Sequence, residues 1–259
     1  MSSTLAIQVG NLARRSVLRT LRQPAMVVPS LLFPMMLLAI NSGGLQSATR
    51  LPGFPTNSYL TFALAVTFVQ GALFAAMSAG TNVANDVETG FLNRLSLTPM
   101  RRLALLVGQL AGVVSLGLIQ ATTFVTVGAI AGAHFKAGVP GALLIVVLAV
   151  LISMGFGSLG AFIALRAGSA EAVQGIFPLM FAALFLSSQA LPRPLIERDW
   201  FRTVATYNPV SYMLEGVRSL LISGWDGKAL ALAFGLSGAL AAITLTAASM
   251  ALRTRMTRT

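Results

Sequence analysis

The 259-residue chain has no cysteine and one histidine, His134. The lack of cysteine excludes disulfides, thiolate metal sites and cysteine nucleophiles, and leaves the redox compartment open. His134 stands beside Phe135 and Lys136 with no carboxylate near it in sequence, so it reads as an interfacial side chain rather than a catalytic base. Charge is scarce too. Only 10% of residues are charged while 56% are apolar, and the mean hydropathy is +0.80. Soluble domains carry about a quarter charged residues. This chain cannot cover a water-facing surface, so lipid is its main solvent. The seven acids are scattered, which excludes a carboxylate metal cluster. No G-x-x-x-x-G-K-[ST] run occurs, so the chain holds no ATP by that device. The apolar runs are almost free of charge, whereas ion-coupled carriers keep carboxylates or broken half-helices at mid-membrane. If the chain transports, something else must power it.

What is present is basic. The formal net charge is +11. The lysines and arginines sit between apolar runs rather than along one stripe, which points to membrane orientation and anionic headgroups rather than nucleic acid. Six runs are long enough to cross a hydrocarbon core of ~30 Å as helices: 26–44, 58–80, 103–132, 141–165, 172–190 and 229–251. Pro29 and Pro34 predict a kink near the start of the first. The basic residues Arg14, Arg15, Arg19, Arg22, Arg94, Arg101, Arg102, Arg166, Arg253, Arg255 and Arg258 fall on one side, against Arg50 and Lys136 in the short loops opposite; the long 191–228 segment holds five more but also Glu197, Asp199, Glu215 and Asp226, and short loops count most. That asymmetry predicts both termini in the cytoplasm. The first 25 residues are not a secretory signal, because four arginines interrupt them and no long apolar core precedes Met26.

Two segments outside the runs carry structure of their own. In 1–25, the stripe Leu5, Val9, Leu12, Ser16 and Arg19 frays after Leu12. Two readings stand: an interfacial amphipathic helix, or a positive anchor for the first span. In 191–228, LPRPLIERDW is a proline-punctuated turn region. It leads to YNPVSYMLEGVRSLL, where Asn208 caps a helix that has Pro209 at its first position. This helix is too short and too charged to span, and is expected at the outer membrane surface. The polar residues within spans (Gln70, Thr122, Thr123, Ser153, Ser158, Gln174, Ser187, Ser188, Gln189) suit interhelical hydrogen bonds, with a minority open to a substrate path. Gly155, Gly157 and Gly160 suit close helix packing.

The strongest local signal is the polar island DVETGFLNRLSLTPMRR, residues 86–102. Asn85 or Asp86 is positioned to cap a helix, with Glu88 in its first turn. Val87, Phe91 and Leu95 recur every fourth residue with Leu92 beside them, and Thr98-Pro99 ends the helix. An ordinary headgroup-level helix explains that periodicity, but not the co-occurrence of Glu88, Gly90, Arg94, Leu95 and Thr98-Pro99.

That combination resembles the permeases of the ABC-2 type, the membrane subunits of ATP-binding-cassette exporters. Glu88, Gly90, Phe91, Arg94, Leu95, Thr98 and Pro99 match the family's loop between spans two and three, with Gly108 following. Asn208 to Leu221 resembles its N-P-[LV]-[ST]-Y element, and Arg19, Arg22 and Pro24 its N-terminal element. Asn93 stands where many members carry an acid, so no ion pair carries over there. Within the family the chain is most similar to drug-exporter permeases of the daunorubicin-resistance kind. The resemblance implies an all-α integral membrane protein formed by a single domain over 1–259, with six spans, a cytoplasmic coupling helix and short outer-face helices. It also implies a multi-pass protein of the bacterial inner membrane that moves a hydrophobic or amphipathic cargo. Two copies of a separate ATPase would supply power, holding ATP and Mg that this chain does not bind. A second permease copy or paralogue would complete the path. The residues implied for ATPase coupling are Asp86, Glu88, Gly90, Phe91, Leu92, Arg94, Leu95, Thr98 and Pro99. Those for an outer gate are Asn208, Pro209, Tyr212, Glu215 and Arg218. Phe62, Phe68, Gln70, Phe74 and Phe181 are candidate liners of the path, or plain packing residues. The alternatives are a polysaccharide or glycolipid exporter of the same class, an ATP-independent channel or carrier, and a membrane scaffold or enzyme.

Overall fold

The computed structural model describes residues 2–91 and 102–256. Among them the regular structure is helical, with nine α-helices and no strand. These are α1 (Ser2–Leu21), α2 (Pro24–Gly44), α3 (Tyr59–Glu88), α4 (Arg102–Ile130), α5 (Gly138–Ala167), α6 (Ala170–Phe185), α7 (Asp199–Tyr207), α8 (Pro209–Arg218) and α9 (Gly227–Met256). Five of them (α2, α3, α4, α5 and α9) are long and apolar enough to cross a membrane.

The fifth expected span is shorter than its hydropathy predicts. α6 has 16 residues and stops at Phe185, not at residue 190. At 1.5 Å per residue it rises only about 24 Å. Ser187, Ser188 and Gln189 leave the helix and continue as irregular backbone. Even so, segment 170–190 runs the height of the bundle. The Ala170 amide meets Glu88 at one end of α3, and the Ala190 carbonyl accepts from the Tyr59 hydroxyl at the other (2.9 Å). Arg15 and Arg19 of α1 and the last turn of α9 also lie at the Glu88 end of the bundle. Arg15 and Arg19 of α1 reach Asp86, and Arg255 of α9 donates to the Leu165 carbonyl at 2.8 Å, capping α5 where Gly168 turns (φ +81).

α3 is the central helix. Ser58 caps it by accepting from the Thr61 amide, and the ten residues 61–70 are all buried. Small residues let neighbours approach it. At Gly160 a Cβ would collide with the Ala76 backbone carbonyl, and at Gly80 it would lie 2.5 Å from Val173 Cγ1. Without a hydrophobic drive between helices in lipid, this backbone proximity supplies the packing energy. Gly160→Leu is expected to force α3 and α5 apart and to lower the melting temperature of the purified chain sharply. Gly175→Ala, where an added Cβ meets nothing within 4 Å, should leave it unchanged or slightly raised. Equal melting of the two variants would refute the close crossing.

α1 lies along the first half of α4. The stripe that frays in sequence is the face that docks. Leu12 sits so close to Gly108 that a Cβ there would lie 2.5 Å from its own Cβ, Ser16 sits against Gly112, and Arg19 on Asp86. Gly108 and Gly112 form a G-x-x-x-G pair, so the small Ser16 is a match for the groove rather than a flaw in the stripe.

Candidate functional site

The first candidate site is the end of α3 that enters the island. α3 runs unbroken to Glu88, so neither Asn85 nor Asp86 begins a new helix, contrary to the capping expectation. The physical reason lies in Asp86 itself, which is almost buried and neutralised from outside its helix. Arg19 Nη1 donates to Asp86 Oδ1 at 2.8 Å and Arg15 Nη2 to the same oxygen at 3.1 Å. The carboxylate thus has no reason to compete for backbone amides. α3 stops instead at Gly90, whose φ of +65° places it in the left-handed region that glycine tolerates. Phe91 follows as the first helical residue beyond the turn, and the Arg15 guanidinium lies 3.8 Å from its ring centroid. Glu88 is exposed and accepts from the Ala170 amide at 3.4 Å, reaching the turn between α5 and α6. The entry to the island is therefore fixed to α1 through Asp86 and Phe91, and to α6 through Glu88. Leu92, Arg94, Leu95, Thr98 and Pro99 lie outside the described residues.

The second is a clamp on the broken end of α6. Irregular backbone that is buried in a helical bundle persists only where its polar groups find partners. Here α8 supplies most of them. Asn208 Nδ2 donates to the carbonyls of Ala183 (2.6 Å) and Leu186 (3.1 Å), while its Oδ1 accepts from the Val210 amide and caps α8. Ser211 Oγ accepts from the Ser188 amide at 3.1 Å. Arg218 Nη1 and Nη2 donate to the carbonyls of Ser188 (2.6 Å) and Gln189 (2.7 Å), and its Nε to that of Phe62 (3.2 Å). Tyr59 takes the Ala190 carbonyl.

Arg218 is only 6% exposed and its guanidinium lies 3.5 Å from the Phe62 ring centroid. Burial pushes its pKa down to about 9, opposed by the nearby Glu215 and Tyr59, so it stays charged at neutral pH. Charge-assisted donors of this kind are the strong class of hydrogen bond. Glu215 pairs with Arg193 at 2.6 Å, and Arg193 covers the Tyr212 ring at 4.5 Å. Tyr212 Oη donates to the Thr206 carbonyl. A π-turn over Ser219–Ser223 follows α8 and accepts from the Lys136 and Ala137 amides, tying the clamp to the loop between α4 and α5.

Asn208, Pro209, Tyr212, Glu215 and Arg218 are expected here from sequence, whereas Ser211, Tyr59 and the carbonyls of 183–190 join them only in the fold. Ser211 was legible only as the serine three residues after the cap.

The candidate path residues divide. Phe62, Phe68 and Gln70 are buried in the packed interior, Phe62 beneath Arg218 and Phe68 edge-on to Phe124. Phe74 and Phe181 join Phe33 and Phe177 in a half-buried aromatic group shared by α2, α3 and α6.

A bundle of lipid-length helices, with the irregular backbone after α6 held at one end of the bundle by side chains, is a multi-pass membrane protein. The chain belongs to the ABC-2 type transporter family, whose model matches residues 7–222. It is a transport subunit without an ATPase domain, and permeases of this family work with ABC ATPase subunits. Its relatives include a "putative transport permease ycf38" of Pyropia yezoensis, 27% identical over 87% of this chain and 78% of the relative. A protein of the same name from Cyanophora paradoxa is 25% identical over 81% and 72%. A "probable doxorubicin resistance ABC transporter permease protein DrrC" of Mycobacterium tuberculosis is 24% identical over 59% of this chain and 56% of its own length.

Proposed function

We propose that this chain is the membrane half of an exporter that moves a hydrophobic or amphipathic cargo out of the cytoplasm or the inner leaflet of a bacterial plasma membrane. Two such subunits, identical or paralogous, enclose the path, and two ATPase subunits holding ATP and Mg supply the power. The name of the mycobacterial relative supports the drug-like end of this cargo range.

The observation that carries the reading is the node of Arg15, Arg19, Asp86 and Phe91. It joins the island to α1 and, through α1, to α4. A push on the island is passed to the bundle by an ion-paired, partly buried contact rather than by a slack loop. In this reading Glu88, Gly90, Phe91, Leu92, Arg94, Leu95, Thr98 and Pro99 form the ATPase-facing element, with Phe91 as an apolar anchor rimmed by charge. Asn208, Pro209, Tyr212, Glu215 and Arg218 form the outer closure. Phe74 and Phe181 edge the path between subunits, while Phe62, Phe68 and Gln70 pack within one.

The sidedness has a direct test, because the chain is free of cysteine. Asn93→Cys should react with an impermeant thiol reagent only from the ATPase side, and Lys136→Cys only from the opposite side. Labelling of position 93 from outside alone would overturn the topology. For function, the permease should co-purify with an ATP-binding-cassette ATPase, and transport in proteoliposomes should need both subunits and ATP. Transport by the chain alone without ATP would sink the reading.

A further inference from the structure

At the Tyr59 end of the bundle, a pocket of about 570 Å³, open on one side, lies between the clamp and the segments that lead into α3 and α9. Its level in the membrane follows from the helices that reach it. Phe62, in the first turn of α3, and Ala229, in the first turn of α9, both line it. Each of these helices has 30 residues and rises about 45 Å, the thickness of a bilayer with its headgroups. The pocket therefore lies in a headgroup layer rather than in hydrocarbon. Trp225, exposed beside Asp226, suits that level.

The charges around the pocket leave two groups over. Arg193 is paired with Glu215, and Arg202 with Asp199. Arg218 and Asp226 have no ion-pair partner among the described residues. Arg218 and Phe62 are nearly buried yet line the pocket, so they form its floor. Three of the five Arg218 N–H groups meet backbone carbonyls, and the others have no protein acceptor. Asp226 is exposed on the rim, where its Oδ1 accepts from the Lys228 and Ala229 amides at the start of α9. A cation on the floor and an anion on the rim are complementary to a zwitterion. Pro55, Pro192 and Pro194, with φ fixed by their rings, stiffen the wall.

We propose that this pocket seats the headgroup of a zwitterionic phospholipid, phosphatidylethanolamine. The phosphate faces Arg218, the primary ammonium lies on the Asp226 carboxylate, and Phe62 and Ile222 offer apolar surface to the carbons between. An anionic headgroup without an ammonium leaves Asp226 unpaired and is repelled by it. Because Arg218 also holds the backbone after α6, the lipid adds a partner to the side chain on which that segment depends. The site needs only this end of the bundle and stands whether or not the export reading holds.

The test uses the full-length chain in vesicles of phosphatidylglycerol, alone or mixed with an equal part of phosphatidylethanolamine. Ser223→Cys, on the exposed rim, places the sole thiol of the chain in the pocket. Its alkylation by N-ethylmaleimide, small and uncharged, reports access at neutral pH. Phosphatidylethanolamine should slow the reaction several-fold. Val139→Cys, 75% exposed near the start of α5, should react at one rate in both membranes. Asp226→Asn, added to Ser223→Cys, keeps a capping side chain on α9 and should lose most of the protection. Glycerophosphoethanolamine in solution carries the same charges without the chains that concentrate it at the surface, and should protect less. If Ser223→Cys fails to fold, Ala229→Cys serves as the reporter. Four results would each overturn the proposal: no protection by phosphatidylethanolamine, full protection in Asp226→Asn, equal slowing at position 139, or equal protection by the soluble headgroup.

Discussion

Arg218→Ala should produce the largest loss of stability of any single truncation in this chain. The side chain is buried, lies against the Phe62 ring, and holds the carbonyls of Ser188 and Gln189, which no helix can satisfy. Leaving a buried polar group unpaired costs about 1–3 kcal/mol. Two such carbonyls and the lost packing therefore sum to several kcal/mol, a large fraction of the stability of most proteins. The Phe62 carbonyl contributes less, because it lies within α3 and keeps its helical bond. Arg218→Met, which keeps the apolar stem, should be nearly as damaging as alanine. Arg218→Lys should fall between, since an ammonium keeps the charge and loses the fork that spans two carbonyls. Thermal unfolding of the purified variants checks the order. If Arg218→Ala melts within the range of Arg193→Ala, a half-exposed partner of Glu215, then the clamp does not hold the break.

Asp86→Arg should have the largest effect on function with the fold retained. It would set a third guanidinium against Arg15 and Arg19 at 2.8–3.1 Å from where a carboxylate now sits. α1 should detach from the end of α3, and ATP hydrolysis by the assembled complex should continue without matching transport. The double variant Arg19→Asp with Asp86→Arg restores one ion pair across the same contact and should recover part of the coupling. Recovery by the double variant is the informative result, since a merely damaged fold would not be rescued by a second charge change.

Much of this was legible in the sequence, and the failures have physical causes. Composition announced lipid as the solvent, and the runs located five long helices, although α3 continues to Glu88 rather than ending at residue 80. Asn208-Pro209 announced the start of α8, because cap chemistry is local. The end of α6 was misplaced because hydropathy reports the solvent of side chains and is blind to the path of the backbone. Ser187, Ser188 and Gln189 looked like mild polar residues within a span, whereas their backbone groups are the reason Ser211 and Arg218 are there. In sequence Asp86 resembles a local cap, because its partners are 67 and 71 residues away. The arginines of α1 indicate a side of the membrane by sequence, but their contact with Asp86 is long-range and leaves no local signal. Ser16 and Arg19 appeared to spoil an apolar stripe that only Gly112 and Asp86 make sense of.

The most direct test of the central claim, that the island receives force from a separate ATPase, is site-specific photocrosslinking. A benzophenone amino acid is placed at position 88 or 91 of the full-length permease in cells, and cross-linked products are identified by mass spectrometry. The account predicts a product with an ATP-binding-cassette ATPase from both positions, and none from position 243 on the exposed face of α9. Cross-links from 88 and 91 confined to the permease itself, while the ATPase still co-purifies through another surface, would contradict it.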